Sequence, residues 1–230
     1  MLTDPLLSVV MPVYNEAATI EEIIRRVLAV PVRTQLIVVD DCSTDGTRDV
    51  LAGLQRELGF TLLLQSANRG KGAALRTGFA SVHGDLVVIQ DADLEYSPEE
   101  FPDLIELICE GRADVVYGSR FLGRHRVFLF THYLGNRLLT LLTNVLYNTM
   151  LTDMETCYKV MRTEVLRSMT LRSDGFGIEP ELTAKIFKRG YRVYEIPITY
   201  DGRGYDEGKK IGWRDGVVAL WVLLRYRFTE

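Results

Sequence analysis

The chain has little of what builds a metal-thiolate centre, a disulfide framework or a membrane span. Its three cysteines and three histidines form no CxxC pair and no zinc-ligand spacing. No apolar stretch approaches the roughly 18 residues of a membrane-spanning helix, and the N-terminal residues "MLTDPLLSVV" lack the basic start and apolar core of a signal peptide. We therefore expect a globular chain of a reducing cytosol that does not cross a bilayer.

A dinucleotide-binding fingerprint is also missing. An oxidoreductase that acts on nucleotide sugars would carry GxGxxG directly after its first strand, where this chain has "MPVYNE". That absence argues against the oxidoreductase. It leaves open both an enzyme of another class and a non-catalytic protein that binds a nucleotide or a lipid.

What is present in the first 120 residues is an alternation of buried strands and amphipathic helices. This alternation predicts an α/β fold with a mostly parallel sheet and helices on both faces. Thr19 and Glu22 have the spacing of a capping box at the first helix. After residue 125 the rhythm changes to a long apolar helix, a smaller α+β part and an amphipathic end. We expect one domain with halves at 1–125 and 126–230. The predicted strands of the first half are "LSVVMPV", "QLIVVD", "FTLLLQS", "DLVVIQ" and "ADVVYGSR".

Polar clusters follow four of these strands, where ligands bind in open parallel sheets. Any one cluster could be an ordinary turn or helix cap, but four at one edge of the sheet predict a ligand site. The clusters are "PVYNE" at 12–16, "DDCSTDGT" at 40–47, "NRGKG" at 68–72 and "DAD" at 91–93.

The acidic cluster has the pattern of a cation site. In an extended segment Asp91 and Asp93 point to the same side, and Glu95 repeats their direction. Carboxylate oxygens suit Mg²⁺ or Mn²⁺, which commonly complete their shells with substrate phosphates, so a nucleotide diphosphate is the expected partner. Taken alone, the DxD pattern favours a solvated turn; its position beside a glycine-rich basic loop favours the cation site instead.

Charge is divided unevenly between the two halves. Residues 1–111 carry a net charge of −10, and residues 112–230 carry +6. The basic half is a candidate surface for an anionic partner, and its alternative role is an ordinary solvated face.

In their order, "SVVMPVYNEAATI", "IVVDDCSTDGT", "NRGKGAALRTGF", "VIQDADLEYSPEE" and "VVYGSRF" resemble glycosyltransferase family 2. These are inverting enzymes of the GT-A fold that use nucleotide-sugar donors. The resemblance covers roughly residues 7–125. The later segments "GNR", "TDMETCYKV", "FGIEPELTAKI" and "GRGYDEGKKIGW" resemble the branch that contains dolichyl-phosphate mannosyltransferase and bacterial polyprenyl-phosphate hexosyltransferases.

The resemblance implies a set of donor-binding residues. Asp91, Ala92 and Asp93 match the metal-binding motif, and Glu95 stands where some mannosyltransferases have glutamine. Lys71 would lie near the donor, with an exposed helix start as its alternative role. The nucleotide pocket would be lined by Pro12, Tyr14, Glu16 and either Asp40 or Asp41.

The resemblance also assigns residues to the acceptor side. Arg120 and Arg137 match positions that help hold phosphate, and Arg203 and Lys209 match a mobile basic loop that closes over donor and acceptor. A polyprenyl monophosphate and an anionic membrane surface would both account for these cations. Four acids of this half could orient a substrate or be caps and surface groups: Asp153, Glu155, Glu179 and Glu181.

The implied reaction is a single in-line displacement at the anomeric carbon, with the metal and Lys71 offsetting charge on the departing diphosphate. A phosphate acceptor needs no strong base because it is already ionised. A sugar hydroxyl acceptor would need a carboxylate, for which Asp153 and Glu181 are the candidates. The sequence does not separate GDP-mannose from UDP-glucose as the donor.

Two apolar stretches, at 127–151 and 213–228, suit a protein that lies on a membrane. Trp213, Trp221 and Tyr226 would be the interface aromatics, with core or dimer helices as the alternative. The expected location is the cytoplasmic inner face of the membrane. A second copy of the chain or a membrane protein is a candidate partner, and no nucleic acid is expected.

Overall fold

The computed structural model describes residues 2–127, 129–202 and 212–229, apart from the side chain of Trp213. Arg203 and Lys209 lie outside the described residues. No described helix has both the length and the apolar composition needed to span a membrane.

Strands and helices alternate through the first half as predicted, and all five predicted strands are confirmed. The strands are β1 (Leu7–Val13), β2 (Thr34–Asp40), β3 (Thr61–Leu64), β4 (Leu86–Ile89), β5 (Val115–Ser119), β6 (Lys159–Arg162) and β7 (Val193–Pro197). The helices are α1 (Ile20–Ala29), α2 (Thr47–Leu58), α3 (Lys71–Phe79), α4 (Phe101–Cys109), α5 (Phe130–Tyr147), α6 (Thr163–Arg167), α7 (Ile178–Lys188) and α8 (Trp213–Phe228).

The described strands form a single sheet in the order β3-β2-β1-β4-β6-β5-β7. Every pairing is parallel except those of β6, which runs antiparallel to both β4 and β5. The mostly parallel α/β fold is therefore confirmed. The second half adds β6 and β7 to the sheet of the first half, so the two halves share one sheet.

The direction of β6 matters for the site. The segment that precedes an antiparallel strand arrives at the same edge where the parallel strands end. Residues 153–157, just before β6, thus lie at the carboxyl edge of the sheet beside the ends of β4 and β5.

The core lies between the sheet and the helices on its faces. Ile20, Ile23 and Ile24 of α1 are fully buried against it, as the helical spacing of these side chains predicts. On α3, Gly78 lets the helix approach β1, because a Cβ there would collide with the side chain of Val10.

The predicted capping box at α1 is wrong. Thr19 makes no side-chain bond to the backbone N–H groups at the start of α1. Its hydroxyl instead donates to the carbonyl oxygen of Ala92 at 2.8 Å. Thr19 thereby connects the start of α1 to the acidic turn that follows β4.

Candidate active site

A cavity of about 880 Å³ lies at the carboxyl edge of the sheet. The four polar clusters of the sequence all contribute to its wall, together with the residue that follows β5. The predicted residues that line it are Pro12, Tyr14, Glu16, Asp41, Lys71, Asp91, Ala92, Asp93, Glu95 and Arg120.

Lys71, the first residue of α3, lies between two carboxylates. Its ammonium is 2.8 Å from Asp91 Oδ1 and 2.9 Å from Glu179 Oε1, and 3.8 Å from Cys157 Sγ. Burial by itself would lower the pKa of Lys71, but the neighbouring charges, Asp91 foremost, raise that pKa well above its ordinary value. Lys71 is therefore a fixed positive charge at the cavity wall.

The glycine-rich loop before α3 is held by Asp41. The two carboxylate oxygens of Asp41 accept the backbone N–H groups of Arg69 at 2.9 Å and Gly70 at 2.7 Å. Gly70 has a φ of +93°, and a Cβ on it would meet the backbone oxygen of Asp174 at 2.6 Å. The loop has no room for side chains at this point, which accounts for its glycine.

Asp40 does not take part in the cavity. Its side chain is fully buried and its Oδ2 lies 2.5 Å from Arg48 Nε. Its carboxylate also accepts the N–H of Ser43. Of the two alternatives predicted for the nucleotide pocket, Asp41 and not Asp40 is among the described residues that line the cavity.

The acidic motif is a turn and not the predicted extended segment. β4 ends at Ile89, and Leu94 has a left-handed φ of +63°. Asp93 Oδ1 accepts the N–H of Glu95 at 3.2 Å, the local bond by which aspartate favours turns. The prediction was wrong because this bond bends the chain immediately after the strand.

Glu95 is bound by another side chain. The hydroxyl of Tyr200, which follows β7, donates to Glu95 Oε2 at 2.5 Å. Among the described residues, no group of three or more His, Cys, Asp or Glu is arranged to hold a metal ion. A three-carboxylate site of Asp91, Asp93 and Glu95 is therefore not formed in this structure.

Asp91 and Asp93 nevertheless fit a divalent cation of the kind predicted. Both line a cavity with room for phosphate and water, and Mg²⁺ is commonly held by one or two carboxylates while ligand oxygens complete its shell. Asp91 is at present bound to Lys71. The donor set suits an ion brought together with a diphosphate, and not a cage built from protein ligands alone.

Arg120 and Asp153 form a buried pair, of which Arg120 lines the cavity. Asp153 Oδ2 and Oδ1 accept from Arg120 Nε and Nη2, both at 2.7 Å, and Oδ2 also accepts the Arg120 backbone N–H. Asp153 is fully buried and is not among the described residues that line the cavity. It positions Arg120, and its assignment as a catalytic base stays a prediction.

Arg137 lies on the exposed face of α5. Its guanidinium is 6.0 Å from the ring of Phe121, and the guanidinium of Arg120 is 5.8 Å from the same ring. Arg137 is not among the described residues that line the cavity. Both guanidinium groups thus lie near the ring of Phe121, but of the two arginines only Arg120 lines the cavity.

Glu181 is the other candidate base, and that assignment also stays a prediction. Its carboxylate is fully buried, accepts the N–H groups of Arg172 and Ser173, and lies 2.5 Å from Lys185 Nζ. Side chains two positions apart on a helix point in nearly opposite directions. Glu179 therefore faces the cavity while Glu181 anchors the loop before α7.

Of the four acids predicted for this half, Glu155 and Glu179 line the cavity. Glu155 Oε1 and Glu179 Oε2 are both buried without a hydrogen-bond partner among the described residues. Burial raises the pKa of Glu155 to about 7, opposed by the charge of Lys159. No sequence signal separated these two acids from Asp153 and Glu181.

Part of the cavity wall is apolar and comes from α5 and α8, which pack together. Tyr147 of α5 donates its hydroxyl to the carbonyl oxygen of Leu223 in α8 at 2.8 Å. The apolar side chains of this wall are Leu138, Leu139, Leu142, Val217, Ala219 and Leu220. The sequence indicated that both helices are apolar, but gave no sign that they border the polar site.

The outer face of the same two helices is also apolar. Trp221 is 56% exposed, and the guanidinium of Arg225 lies 4.9 Å from its ring. Tyr226 is only 2% exposed, with Lys185 Nζ 4.3 Å from its ring, so its predicted interface position is wrong. The other exposed apolar side chains of α5 and α8 that do not line the cavity are Phe130, Tyr133, Leu134, Leu141, Val145, Val218, Leu224 and Phe228.

Comparison with known proteins gives a consistent set of relatives. Residues 8–170 match the model of a family described as Glycosyl transferase family 2. The chain is 29% identical to the dolichol-phosphate mannosyltransferase of Pyrococcus furiosus over 89% of its own length and 59% of that enzyme. It therefore spans less than two thirds of that relative.

Two further relatives are matched over more of their length. Identity to the undecaprenyl-phosphate mannosyltransferase of Micrococcus luteus is 29%, covering 95% of this chain and 97% of that one. Identity to the glycosyltransferase AglJ of Haloferax volcanii is 31%, covering 100% of this chain and 75% of that one.

A solved structure with the same fold is the glucosyl-3-phosphoglycerate synthase of Mycobacterium tuberculosis in complex with Mn²⁺, uridine diphosphate and phosphoglyceric acid. It superposes with a TM-score of 0.77 at 23% identity, covering 98% of this chain and 80% of that one. The predicted GT-A fold is confirmed.

Proposed function

The chain belongs to glycosyl transferase family 2 and is a glycosyltransferase, and we propose that it transfers a hexose from a nucleotide-diphosphate sugar to a polyprenyl monophosphate. The transfer is metal-dependent and inverts the anomeric centre. One observation carries this proposal: a single cavity is lined both by Lys71, Asp91 and Asp93 and by apolar side chains of α5 and α8. A polar donor and a lipid acceptor with a phosphate head need these two surroundings side by side.

The donor end suits a departing diphosphate. Lys71 supplies a fixed positive charge, and Asp91 and Asp93 would hold the divalent ion. That ion would act as a Lewis acid on the diphosphate oxygens. Glu179 shares Lys71 with Asp91, so the ammonium keeps a partner when Asp91 binds an ion. The Mycobacterium tuberculosis structures with Mn²⁺ or Mg²⁺ and uridine diphosphate support a divalent ion in this fold.

The acceptor end suits a phosphate on a long apolar chain. Arg120 lines the cavity beside the apolar wall, and arginine binds phosphate well because its planar fork matches the oxygens. The polyprenyl chain would lie between α5 and α8. Relatives named as dolichol-phosphate and undecaprenyl-phosphate mannosyltransferases support a lipid phosphate acceptor. Arg203 and Lys209 stay predictions for the closing loop.

The positions of the two acids predicted as bases favour a phosphate acceptor, although Glu155 and Glu179 also line the cavity. A sugar hydroxyl would have to lose its proton to a carboxylate within reach. Of the two acids predicted for that task, Asp153 is bound to Arg120 and Glu181 to Lys185, and neither lines the cavity. A phosphate acceptor is already ionised at neutral pH and needs no such base.

The outer apolar face of α5 and α8 supports a peripheral position on the cytoplasmic face of the membrane. Exposed apolar side chains of this extent next to arginines are typical of helices that lie in the lipid interface. Lying there would bring the open apolar wall of the cavity to the lipid acceptor. A homo-oligomer or a membrane-protein partner stays a prediction.

Release of nucleoside diphosphate tests the proposal. The protein is incubated with Mg²⁺ and UDP-glucose or GDP-mannose, together with polyprenyl phosphate, dephosphorylated polyprenol or no lipid. The expected result is rapid release only with polyprenyl phosphate and one of the two donors. Equal release with polyprenol or without lipid would contradict a phosphate acceptor.

A further inference from the structure

The segment 153–157 connects the two cation sites of the cavity. At one end the carboxylate of Asp153 holds Arg120, and at the other end Cys157 Sγ lies 3.8 Å from Lys71 Nζ. Glu155 is midway between them in the chain and lines the cavity. In an in-line displacement the transferred sugar lies between the departing diphosphate and the attacking phosphate. A lining residue between the two cation sites would lie beside that sugar.

The backbone on both sides of Glu155 is fixed. Four hydrogen bonds from other elements hold its neighbours, at distances between 2.6 and 3.2 Å. They join Asp153 to Glu195, Met154 to Thr140, Thr156 to Gly118, and Cys157 to Tyr96. A side chain carried by such a segment is pre-organised, as specific ligand binding requires.

Glu155 itself is left without a complete set of partners. Its Oε1 is buried and accepts no hydrogen bond from the described residues, although buried polar atoms are nearly always bonded. The charges that act on it come from Lys159 and Arg120, which favour its ionised form, and from Glu179 and Asp153, which oppose it. A ligand that supplies a hydrogen-bond donor would satisfy this oxygen.

The chemistry of that ligand group can be narrowed. A phosphate dianion offers no donor and is repelled by Glu155 and Glu179, so it fits poorly here. A sugar hydroxyl can donate as well as accept, so it fits Glu155 in either protonation state. The position of Glu155 and its need for a hydrogen-bond donor both indicate the sugar of the donor substrate.

We propose that Glu155 binds hydroxyl groups of the transferred hexose and thereby determines which sugar the enzyme accepts. The proposal rests on the proposed function, because it needs a nucleotide-sugar donor in this cavity. It assigns Glu155 to the sugar, while Lys71 serves the diphosphate and Arg120 the acceptor phosphate.

Binding measurements on Glu155→Ala and Glu155→Gln test the proposal. The unmodified protein is first titrated by calorimetry, in the presence of Mg²⁺, with UDP, GDP, UDP-glucose and GDP-mannose. The nucleotide sugar that it binds most tightly is then used for the variants. The expected result for Glu155→Ala is about 10- to 100-fold weaker binding of that nucleotide sugar, the range for a lost hydrogen bond to a charged group. Binding of the matching nucleoside diphosphate should change less than about twofold.

Deoxy analogues of the preferred donor then locate the contact. For at least one hydroxyl position, removing the hydroxyl should abolish the difference between the unmodified protein and Glu155→Ala. Glu155→Gln keeps a hydrogen-bonding group, so its affinity for the nucleotide sugar should lie between those of the unmodified protein and of Glu155→Ala. Glu110→Ala, at an exposed glutamate near the end of α4, is the matched control and should bind like the unmodified protein.

The other outcomes would overturn either the role of Glu155 or the proposed function. Equal loss of affinity for nucleotide sugar and nucleoside diphosphate, or a lowered melting temperature in both variants, would show a structural role and overturn the proposal. Unchanged binding with a lost rate would show a catalytic base and overturn it too. If the unmodified protein binds no nucleotide sugar, the proposed function itself fails.

Discussion

Lys71 and Asp91 lie 2.8 Å apart, one at the start of α3 and the other just after β4. Glu179 contacts the same ammonium from α7. Three elements that are distant in sequence thus place one positive charge at the carboxyl edge of the sheet, where the donor diphosphate is proposed to bind.

Replacing Lys71 by methionine should lower the transfer rate about 100-fold or more, the loss expected when one group that stabilises developing charge is removed. The variant also leaves Asp91 and Glu179 without their shared cation, so its melting temperature should fall. Initial rates of nucleoside diphosphate release and a thermal unfolding scan measure both effects. Lys188→Met, on the exposed side of α7, is the control. A rate near that of the unmodified protein would show that Lys71 does not serve the leaving group.

Asp153→Ala should act mainly on stability, because it leaves the buried guanidinium of Arg120 unpaired. Breaking a buried pair in this way costs about 3–5 kcal/mol, which urea unfolding would show. Glu57→Gln breaks the exposed pair with Arg25 and should cost less than about 1 kcal/mol. A stable Asp153→Asn variant that had lost only its turnover rate would instead support a base.

Glu155 should make the stability of the protein depend on pH. Its pKa is raised from the ordinary 4.5 to about 7 in the folded protein. Between these two values the folded chain keeps a proton that the unfolded chain has lost. The free energy of unfolding therefore falls as pH rises through this window. Glu155→Gln removes this contribution. It should match the unmodified protein near pH 4.5 and exceed it by up to about 3 kcal/mol above pH 7.

Urea unfolding of both proteins across this pH range checks the expectation. Subtracting one profile from the other cancels the groups that the two proteins share. A difference that stays constant with pH would show that Glu155 has an ordinary pKa in the folded chain.

Trp221→Ser combined with Phe228→Ser should weaken binding to liposomes of anionic lipid. Both side chains are exposed on α8, and burying one such side chain is worth about 1.5–3 kcal/mol, so the loss should be at least about tenfold. Leu64→Ser, at the exposed edge strand β3, is the matched control. Undiminished binding by the folded double variant would exclude α8 as the membrane contact.

Local pattern was enough to predict the elements of the first half. The period of apolar residues fixed the five strands and the helices between them, because each must cover one face of the sheet. The insertion of β6 between β4 and β5 could not be predicted in this way. It depends on pairing of β6 with strands 44 and 74 residues earlier in the chain (Val116 with Val160, Val87 with Met161), which no local pattern indicates.

The same division holds for the site. Asp41, Lys71, Asp91 and Asp93 could be predicted because they follow strand ends, and topology brings strand ends together. Asp153 could not be separated from Glu155, because the partner of Asp153 is Arg120, 33 residues earlier. Burial and partners distant in sequence decide which acid faces the cavity, and the spacing of residues in the sequence predicts neither.

The mass of the lipid after reaction tests the central claim most directly. Polyprenyl phosphate is incubated with the protein, Mg²⁺ and each nucleotide sugar in turn, then extracted and weighed by mass spectrometry. The account predicts that the lipid phosphate gains one hexose with one donor, and gains none with EDTA or with Asp93→Ala. An unmodified lipid with every donor, or a hexose gain that persists at full rate in EDTA, would contradict it.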